Sequence, residues 1–497
     1  MRKKCIMIGS GLGGLSCGVI LSRNGYDVTV LEQSSQIGGC LQCFSRGGVR
    51  FETGMHFIGS AAPGQTLNKL MNYLNLQDVR LSQLDTSAYD IVSLAGERFN
   101  FANGREAFIS QMSSYFPKET DKLVKYFDII DTIASASSLH SLRHAENDMA
   151  VNTYYQTVSI NQVLDEIFND ELLKSVLVGN LPLYAAEKDR TPFSQHAFIM
   201  DFYNQSAYRI VGGSDAIATK LKETIEANGG RVLTRSKVTK IVCDDNHATG
   251  VEVNGEKYFE TDLVIAGIHP TRVMEMLDTK LIRPAFRKRM MSLKNTTAGF
   301  SVYLKFKPDT VPYLNSNFYS FKDTTPWNCE NYTAENWPKG YLYMHFCNSE
   351  KPQFATSGVI LSYMNMDDVA QWTDTTVEHR GLEYKSFKQN KAEKLINEVY
   401  KDFPGLRGCI ESYYTATPLT YLNYTGTEGG SMYGVAKDIT LGAACRVPHR
   451  TKVPNLLLTG QNINSHGMLG VLVGSIVTCS ELLTAETIYQ QIIVANK

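Results

Sequence analysis

The sequence lacks an excess of charge of either sign. Its 497 residues carry 49 Lys and Arg against 50 Asp and Glu, which gives a formal net charge of −1. A chain without a basic surplus has no global electrostatic attraction to nucleic acid or to anionic lipid. Long charged tracts and low-complexity tracts are also missing, which favours an ordered chain. We therefore expect no nucleic-acid partner.

The sequence also lacks an apolar run long enough to cross a membrane. The stretch that comes nearest, Gly467 to Leu483, is shorter than the roughly 20 apolar residues that a spanning helix needs, and it contains Glu481. It is rich in glycine at its start and follows an apolar strand at residues 456–458. This arrangement predicts a buried helix whose N-terminus faces a ligand.

The sequence also lacks clustered cysteines. The ten cysteines are scattered, and most lie in apolar segments, as reduced thiols do in intracellular proteins. Cys40 and Cys43 form a C-x-x-C pair, but no second pair lies near them in the sequence. Because a structural zinc normally needs four such ligands, the sequence predicts no metal site.

The N-terminal segment contains basic residues and then a glycine-rich apolar run, which gives it the look of a secretion signal. The same run contains Gly9-x-Gly11-x-x-Gly14, placed between an apolar strand, Cys5–Ile8, and a helix. In a dinucleotide fold the first glycine permits the turn, the second admits the pyrophosphate, and the third lets helix and strand pack closely. The start of the helix supplies free N–H groups and the positive end of a dipole.

The residues that follow favour the nucleotide interpretation over a cleaved leader. A second strand, Asp27–Leu31, ends at Glu32, which is placed to accept a hydrogen bond from a ribose hydroxyl. A signal peptide has no use for that strand and acid, so we expect the segment to stay and the protein to be cytoplasmic. The nucleotide contacts expected here are Gly9, Gly11, Leu12, Gly13, Gly14, Glu32 and Gln33.

A second glycine pair indicates which nucleotide is bound. Gly38-Gly39 follows the ribose acid within a few residues and precedes Cys40. A nicotinamide dehydrogenase would continue here into another strand–helix unit, whereas in flavoproteins such a pair lets a further loop approach the diphosphate. We therefore predict FAD as the cofactor, with a plain surface turn as the alternative interpretation. NAD(P)H is a candidate reductant.

Distant segments complete the predicted site. After Gly212-Gly213 a helix is predicted from Ser214 to Ala227, and short strands follow it. Near the C-terminus an apolar strand ends at Gly460, and the N–H groups of a helix that begins near residue 467 can stabilise negative charge on a reduced flavin. The further contacts expected from the distant segments are Cys40, Gly54, Met55, His56, Val238, Gly460, Gln461, Gly467 and Met468.

These motifs resemble the phytoene desaturase, carotenoid isomerase and retinol saturase branch of the glutathione-reductase-like flavoproteins. The resemblance runs over nearly the whole chain and is carried by residues 8–40, GVRFETGMHFIG, RIVGGSDAIATKL, TPLTYLNYTGTEGGSMYG and LLLTGQNINSHGMLGVLVG. The block GGCLQCFSRGGVRFETGMHFIG is especially similar to the retinol 13,14-reductase group. The resemblance implies non-covalent FAD and a conjugated polyene or another long hydrophobic substrate. Cys40 stands where many relatives have arginine.

The predicted fold class is α/β. A Rossmann-type FAD domain, which the resemblance makes glutathione-reductase-like, is expected at residues 1–60, 206–295 and 436–497. An α+β substrate domain is expected at 61–205 and 296–435. The first part of that domain reads mainly as helices, at Gln65–Leu76, Arg105–Tyr115, Glu119–Ile133 and Ile160–Ser175.

Residues 296–366 alternate aromatic and polar side chains, which predicts a sheet with one buried face. A helical layer over this sheet would form a tunnel for a lipid-like substrate, lined from Phe300 to Tyr363. The alternative is that these aromatic side chains only form the core of the sheet.

Few residues are placed to move a proton near the flavin. His56 lies in the segment that should return to the flavin ring, and His196 and Tyr203 precede the second glycine-pair helix. Histidine titrates near neutrality, so His56 or His196 could exchange a proton without large retuning. A hydrogen-bonded structural histidine is the alternative for each. His466 is expected to touch the flavin edge rather than to move protons.

The activity expected is FAD-dependent oxidoreduction of a carbon–carbon bond in a conjugated hydrophobic substrate, with saturation favoured. The alternatives are a carotenoid-type desaturase or cis/trans isomerase, an amine oxidase, and a flavin-bearing scaffold without activity. A lipid-like substrate also predicts peripheral membrane contact through the helices between Gln65 and Phe202. The sequence does not indicate the oligomeric state or the electron donor.

Overall fold

The computed structural model describes residues 2–137, 142, 149–350 and 352–497. Its β-strands in chain order are β1 (Lys4–Ile8), β2 (Asp27–Leu31), β3 (Cys43–Arg46), β4 (Val49–Glu52), β5 (Ile58–Gly59), β6 (Leu81–Gln83), β7 (Asp90–Leu94), β8 (Glu97–Phe101), β9 (Ala207–Ile210), β10 (Arg231–Leu233), β11 (Val238–Cys243), β12 (Ala248–Val253), β13 (Lys257–Glu260), β14 (Leu263–Ala266), β15 (Gly299–Phe306), β16 (Asn317–Phe321), β17 (Gly340–Phe346), β18 (Ser357–Tyr363), β19 (Ile410–Ala416) and β20 (Leu456–Leu458).

The α-helices of the same residues are α1 (Leu12–Arg23), α2 (Thr66–Tyr73), α3 (Arg105–Tyr115), α4 (Thr120–Ser135), α5 (Met149–Tyr155), α6 (Ile160–Ile167), α7 (Glu171–Leu177), α8 (Phe193–Gln205), α9 (Asp215–Ala227), α10 (Pro270–Glu275), α11 (Pro284–Met291), α12 (Gly381–Asp402), α13 (Pro418–Thr425), α14 (Gly467–Ser480) and α15 (Ala485–Ala495).

A parallel sheet of five short strands, in the order β10-β2-β1-β14-β20, forms the centre of the nucleotide-binding half. Its strands are buried on both faces. In β1, Cys5 and Met7 point to a core shared with α1, α9 and α14, whereas Ile6 and Ile8 point to a second core. That second core is closed by the three-stranded sheet β11-β12-β13. This is the Rossmann-type arrangement that the sequence predicts, with strands that come from distant segments.

The proposed domain boundaries stay a prediction. All five strands of the parallel sheet lie within the ranges assigned to the FAD domain. A small sheet, β5-β9-β6, nevertheless crosses the proposed boundary, because Leu81 of the other range pairs with Ile210. The two halves are therefore joined by backbone hydrogen bonds as well as by side chains.

A seven-stranded sheet, in the order β19-β15-β18-β17-β16-β7-β8, forms the base of the other half. The predicted strands at residues 296–366 are all in it. The prediction that residues 61–205 are mainly helical is incomplete, because β7 and β8 come from that range and form a hairpin. The hairpin turns at Ala95-Gly96, where both residues adopt positive φ. One face of the sheet packs on α3 and α4, and the other packs on α12.

Two predicted helices differ from the observed ones. The helix predicted over Ile160–Ser175 is divided into α6 and α7, because Asp170 accepts hydrogen bonds from the backbone N–H groups of Leu172 and Leu173 and so begins a new helix. The helix predicted over Gln65–Leu76 ends at Tyr73. Asn75, two residues later, has φ of 61°, a left-handed conformation that the interior of a right-handed helix does not allow.

Across the described ranges, none of the helices is both long enough and apolar enough to traverse a bilayer. The predicted helix at the C-terminal glycine-rich stretch is α14, and most of its side chains are buried against α1.

Candidate active site

A cavity of about 800 Å³ opens where the carboxyl ends of β1, β2, β14 and β20 meet the first turns of α1 and α14. Ligands of open α/β sheets bind at this edge. All the predicted cofactor contacts except Gly14 line it: Gly9, Gly11, Leu12, Gly13, Glu32, Gln33, Gly38, Gly39, Cys40, Gly54, Met55, His56, Val238, Gly460, Gln461, Gly467 and Met468. Segments that are hundreds of residues apart therefore meet at one site.

The first glycines of the cradle have different roles. A Cβ atom built on Gly11 would meet no described atom within 4 Å, so this side of the backbone faces open cavity. Gly9 has φ of +91°, which permits the turn from β1 into α1. A Cβ on Gly14 would overlap the carbonyl oxygen of Gly9. Gly14 therefore serves close packing of helix and strand, and it does not line the cavity.

Glu32 is held in place by two serines. Its Oε2 atom accepts hydrogen bonds from the backbone N–H of Ser10, at 3.0 Å, and from the Ser10 hydroxyl, at 2.7 Å. Its Oε1 atom accepts from the backbone N–H of Ser34, at 2.8 Å. A carboxylate oxygen can accept more than one hydrogen bond, so this fixed side chain can still accept from a ribose hydroxyl. The sequence analysis missed Ser10, which occupies a variable position of the glycine motif.

The second glycine pair lies directly against the first cradle. The backbone N–H of Gly38 donates to the carbonyl oxygen of Ser10, at 3.0 Å, and Gly38 has φ of +112°. A Cβ on Gly39 would lie 3.2 Å from the Cα of Gly11. Side chains at these positions would fill the space between the two loops. The glycine cradle and the fixed acid together fit the diphosphate and ribose of FAD.

Cys40 and Cys43 are free thiols in this region. Burial raises the pKa of Cys40 to about 11 and that of Cys43 to about 11, so both thiols are neutral near pH 7. Cys40 therefore contributes no charge to the cradle near pH 7. Within the described parts of the chain, no three His, Cys, Asp or Glu side chains are grouped so as to hold a metal ion.

The C-terminal segment closes the cradle from the other side. A Cβ on Gly13 would lie 2.8 Å from the Cα of Gly460, so the first turn of α1 packs directly on this loop. The loop is also held by Lys437, whose Nζ donates to the carbonyl oxygens of Asn462 and Ile463 at 3.1 and 3.0 Å. The sequence analysis missed Lys437, because no local pattern distinguishes it.

His466 lines the cavity at the start of α14 and stacks on Tyr433, with ring centroids 4.6 Å apart. Burial lowers the pKa of His466 to about 4, and the charge of Lys437 acts in the same direction. The imidazole is therefore neutral at pH 7. This agrees with a contact role rather than a proton-transfer role.

The three candidates for proton transfer are placed differently. His56 and Tyr203 line the cavity. Burial raises the pKa of Tyr203, so its phenol stays protonated. His196 is not among the lining residues; it is fully buried between the hydroxyls of Tyr126, at 2.6 Å, and Tyr184, at 2.9 Å.

Because burial lowers the pKa of His196 to about 3, this side chain is a neutral member of the core. The position of His196 therefore favours a structural role in the core. His56 and Tyr203 remain the candidates for proton transfer.

The end of the cavity away from the glycine cradle is apolar. Its side chains come from α8, from the sheet and from the chain around α13, and include Phe57, Leu183, Phe198, Ile199, Phe202, Leu342, Leu361 and Met432. The tunnel predicted along Phe300 to Tyr363 is wrong for most of that stretch, from which Leu342 and Leu361 alone are among the lining residues. Phe300 packs instead edge-on against Trp337 in the core, with ring centroids 5.9 Å apart.

Comparisons with known proteins agree with this geometry. The profile of flavin-containing amine oxidoreductases matches residues 12–475. All-trans-retinol 13,14-reductase of Rattus norvegicus is 28% identical over an alignment that covers 98% of this chain and 86% of that protein. Prolycopene isomerase 1 of an Oncidium hybrid cultivar is 22% identical, with 97% and 84% covered.

Among solved structures, an oxidoreductase from Methanosarcina mazei superposes with a TM-score of 0.64 at 16% identity, over 96% of this chain and 100% of that one. This likeness concerns the fold alone. The matching profile covers every strand of the two large sheets except β1, and it describes flavin-containing proteins. The chain belongs to the flavin-containing amine oxidoreductases, in the branch of the retinol saturases and carotenoid isomerases, and is an FAD-dependent oxidoreductase acting on CH–CH groups.

Proposed function

We propose that the protein saturates a carbon–carbon double bond in a long conjugated hydrophobic substrate, as a retinol-saturase-type reductase. The observation that carries this proposal is the apolar end of the cavity, which continues directly from the FAD cradle. Relatives named all-trans-retinol 13,14-reductase support the direction of the reaction. NAD(P)H, or a reductant that it supplies, is the proposed source of electrons.

The lining of this end defines the substrate class. The rings of Phe57 and Tyr203 are in tilted contact, with centroids 5.1 Å apart, and α8 adds further apolar side chains from Phe198 to Phe202. Such a surface binds hydrocarbon by removing it from water and offers little to a charged substrate. An isolated alkene is a poor hydride acceptor, whereas a conjugated chain spreads the developing charge. We therefore propose a polyene rather than a simple alkene.

The residues of this chain would bind the substrate, exclude water and provide a proton. Bound FAD supplies hydride transfer to or from carbon. His56, on the cavity wall, is the proposed donor of the proton to the neighbouring carbon. The apolar side chains hold the polyene so that the reacting atoms lie about 3–3.5 Å apart. Tyr203, with its raised pKa, would act as a hydrogen-bond donor beside them.

Two other functions compete with saturation. A carotenoid-type isomerase or desaturase would use the same cavity, and the similarity to prolycopene isomerases favours isomerisation as the second candidate. An amine oxidase, which the family name allows, fits less well, because the apolar end offers few polar groups to an amine.

An anaerobic experiment separates these functions. The purified FAD-loaded protein is reduced, mixed with a retinoid or carotenoid, and followed by the flavin spectrum and by product mass. Saturation reoxidises the flavin and adds two hydrogen atoms to the product. A product of unchanged mass would replace saturation by isomerisation, and reoxidation by amine-derived imines alone would favour the amine-oxidase function.

The role of His56 is tested by His56→Ala. We expect this variant to keep FAD but to lower the rate of reoxidation by polyene on the order of 10²-fold, the usual scale for loss of a positioned acid. His247→Ala, at an exposed turn, is the matched control and should react as the wild type does. A wild-type rate in His56→Ala would make His56 structural and move the role to Tyr203.

A further inference from the structure

A buried carboxyl group lies directly behind His56. Glu52 ends β4, four residues before the histidine, and its Oε2 atom is 3.6 Å from His56 Nδ1. The Glu52 side chain is buried, whereas His56 lines the cavity and Glu52 is not among the lining residues. The carboxyl group is therefore on the side of the imidazole that faces the protein.

The two facing atoms lack other partners. Neither Glu52 Oε2 nor His56 Nδ1 has a hydrogen bond among the described residues. A buried polar atom without a hydrogen bond destabilises the fold, and an approach of less than 1 Å would satisfy both atoms at once. No comparable arrangement surrounds His196, where both ring nitrogens already have tyrosine partners.

Other groups near the pair do not take over its role. Arg209 is buried beside it, but its guanidinium donates to the carbonyl oxygens of His56 and Ser316 and to Asn317 Oδ1, at 3.3, 3.1 and 3.0 Å. The Cys43 thiol faces Glu52 and is neutral, because burial raises its pKa to about 11. Glu52 is therefore the acidic group that faces the imidazole.

We infer that Glu52 is the positioning residue for His56: its carboxylate accepts a hydrogen bond from Nδ1–H, fixes the ring, and leaves Nε2 to carry the proton that is given to the substrate. This inference rests on the proposed function of the same cavity. A carboxylate that accepts from Nδ1–H fixes the orientation of the imidazole and directs Nε2 toward the cavity. When Nε2 gives its proton to carbon, the imidazole becomes neutral and is protonated again from solvent.

The electrostatics of the carboxyl group support this geometry. Burial raises the pKa of Glu52, while His56, Arg209 and the backbone amide of Ser214 oppose that rise. Glu52 thus depends on its neighbours to stay ionised, and His56 is the first of them. Changes at either residue should therefore be detectable at the other.

The first test compares kcat and KM for flavin reoxidation by polyene in Glu52→Gln, Glu52→Asp and wild-type protein, all loaded with FAD. If Glu52 positions the imidazole, Glu52→Gln should lower kcat about 10-fold or more, because Nε2 is no longer held in place. KM should stay unchanged, because the apolar side chains that bind the substrate are intact. Glu52→Asp should restore part of the rate.

Glu119→Gln is the matched control, because Glu119 is also buried but pairs with Lys122, three residues later, and does not line the cavity. Its kcat and KM should match those of the wild type. A normal kcat in Glu52→Gln, or a lower kcat accompanied by a raised KM and lost FAD, would mean that Glu52 only supports the fold, and it would overturn the inference.

The second test needs no substrate, so it separates this inference from the proposed function. The C=O stretch of the protonated Glu52 carboxyl is followed against pH by infrared difference spectroscopy, with the Glu52→Gln spectrum subtracted. Replacing His56 by Phe removes the neighbour that most lowers the pKa of Glu52, so the band should persist to higher pH in His56→Phe. Identical titrations in His56→Phe and wild-type protein would refute the pairing, even if saturation is confirmed.

Discussion

The glycines of the cofactor cradle are needed mainly because they have no side chain to fill the cavity. Gly11 has φ of −64° and ψ of 170°, which valine adopts without strain, but its Cβ direction faces the cavity. In Gly11→Val we expect a folded protein that is purified without colour, because the isopropyl group occupies the place of the diphosphate. The measurement is the ratio of flavin to protein absorbance, together with circular dichroism to check the fold.

Gly405→Val is the control for this prediction, since Gly405 lies in a turn and a Cβ there would also meet no described atom within 4 Å. It should keep its full flavin content. Yellow protein from Gly11→Val with a normal ratio would mean that the diphosphate does not pass this glycine.

A second prediction at this scale concerns Asp90, a carboxyl group in the core. It accepts hydrogen bonds from Asn317 and Asn180, at 2.8 and 3.5 Å, yet burial still raises its pKa to about 7. The folded state therefore binds this proton more tightly than the unfolded state, whose ordinary value is 3.8. Stability from Asp90 is full below that value and is lost as the pH rises toward 7.

Asp90→Asn stays neutral at every pH and keeps a similar shape. We expect its thermal midpoint to rise relative to that of the wild type as the pH increases from about 4 to about 7. Asp78→Asn, at an exposed position, is the control and should show a constant difference. A constant difference for Asp90→Asn as well would show that Asp90 stays ionised in the fold.

At the scale of elements, caps decide where one helix ends and the next begins. Asp170 accepts from two backbone N–H groups at the start of α7, both at 3.0 Å. Asp170→Ala should lower the free energy of unfolding by about 1 kcal/mol, the usual loss for an N-cap. Thermal or urea unfolding measures it, with the exposed Asp374→Ala as control. Equal midpoints for the two variants would mean that α7 starts without this cap.

Helices and strands were predicted correctly where one local sequence pattern defines them. They were missed where contacts with distant residues define them. The strand–glycine–helix unit around Gly9 and the helix at Gly467–Ser480 follow directly from apolar runs and glycine spacing. The hairpin β7–β8 was missed because β7 pairs with β16, more than 200 residues away, and β8 pairs in turn with β7. The break at Asp170 was missed because the apolar pattern continues across it.

The site itself was predictable in its glycines and not in its supporting side chains. Spacing alone predicts Gly11 and Glu32 as cofactor contacts, and both line the cavity. Ser10, Glu52 and Lys437 were not identified, because their roles depend on which atoms they meet: Glu32, His56 and the loop after Gly460. The sequence left two interpretations of His196 open for the same reason, since it does not show the two tyrosines that enclose this side chain.

At the scale of the whole molecule, a lipid-soluble substrate raises the question of delivery. We propose peripheral membrane contact through the helices between Gln65 and Phe202, of which residues 138–141 and 143–148 lie outside the described part. The large apolar side chains Tyr115, Val124 and Tyr154 are exposed on this layer, Val124 at 40%. We expect the protein to float with liposomes, and Val124→Glu to weaken this binding by removing apolar contact.

Val494→Glu, on the last helix, is the control, because Val494 is 66% exposed and lies outside the proposed layer. It should float as the wild type does. Protein that stays in the soluble fraction, with and without polyene, would exclude this contact.

The strand order of the parallel sheet also determines when, during synthesis of the chain, the cofactor site can form. Its outer strand β20 and the helix start at Gly467 come from the last tenth of the chain, yet they form one wall of the cavity that begins at Gly9. That wall exists only after the residues up to about 467 have left the ribosome. A nascent chain therefore holds an incomplete cradle until then, and tight flavin binding waits for this late segment.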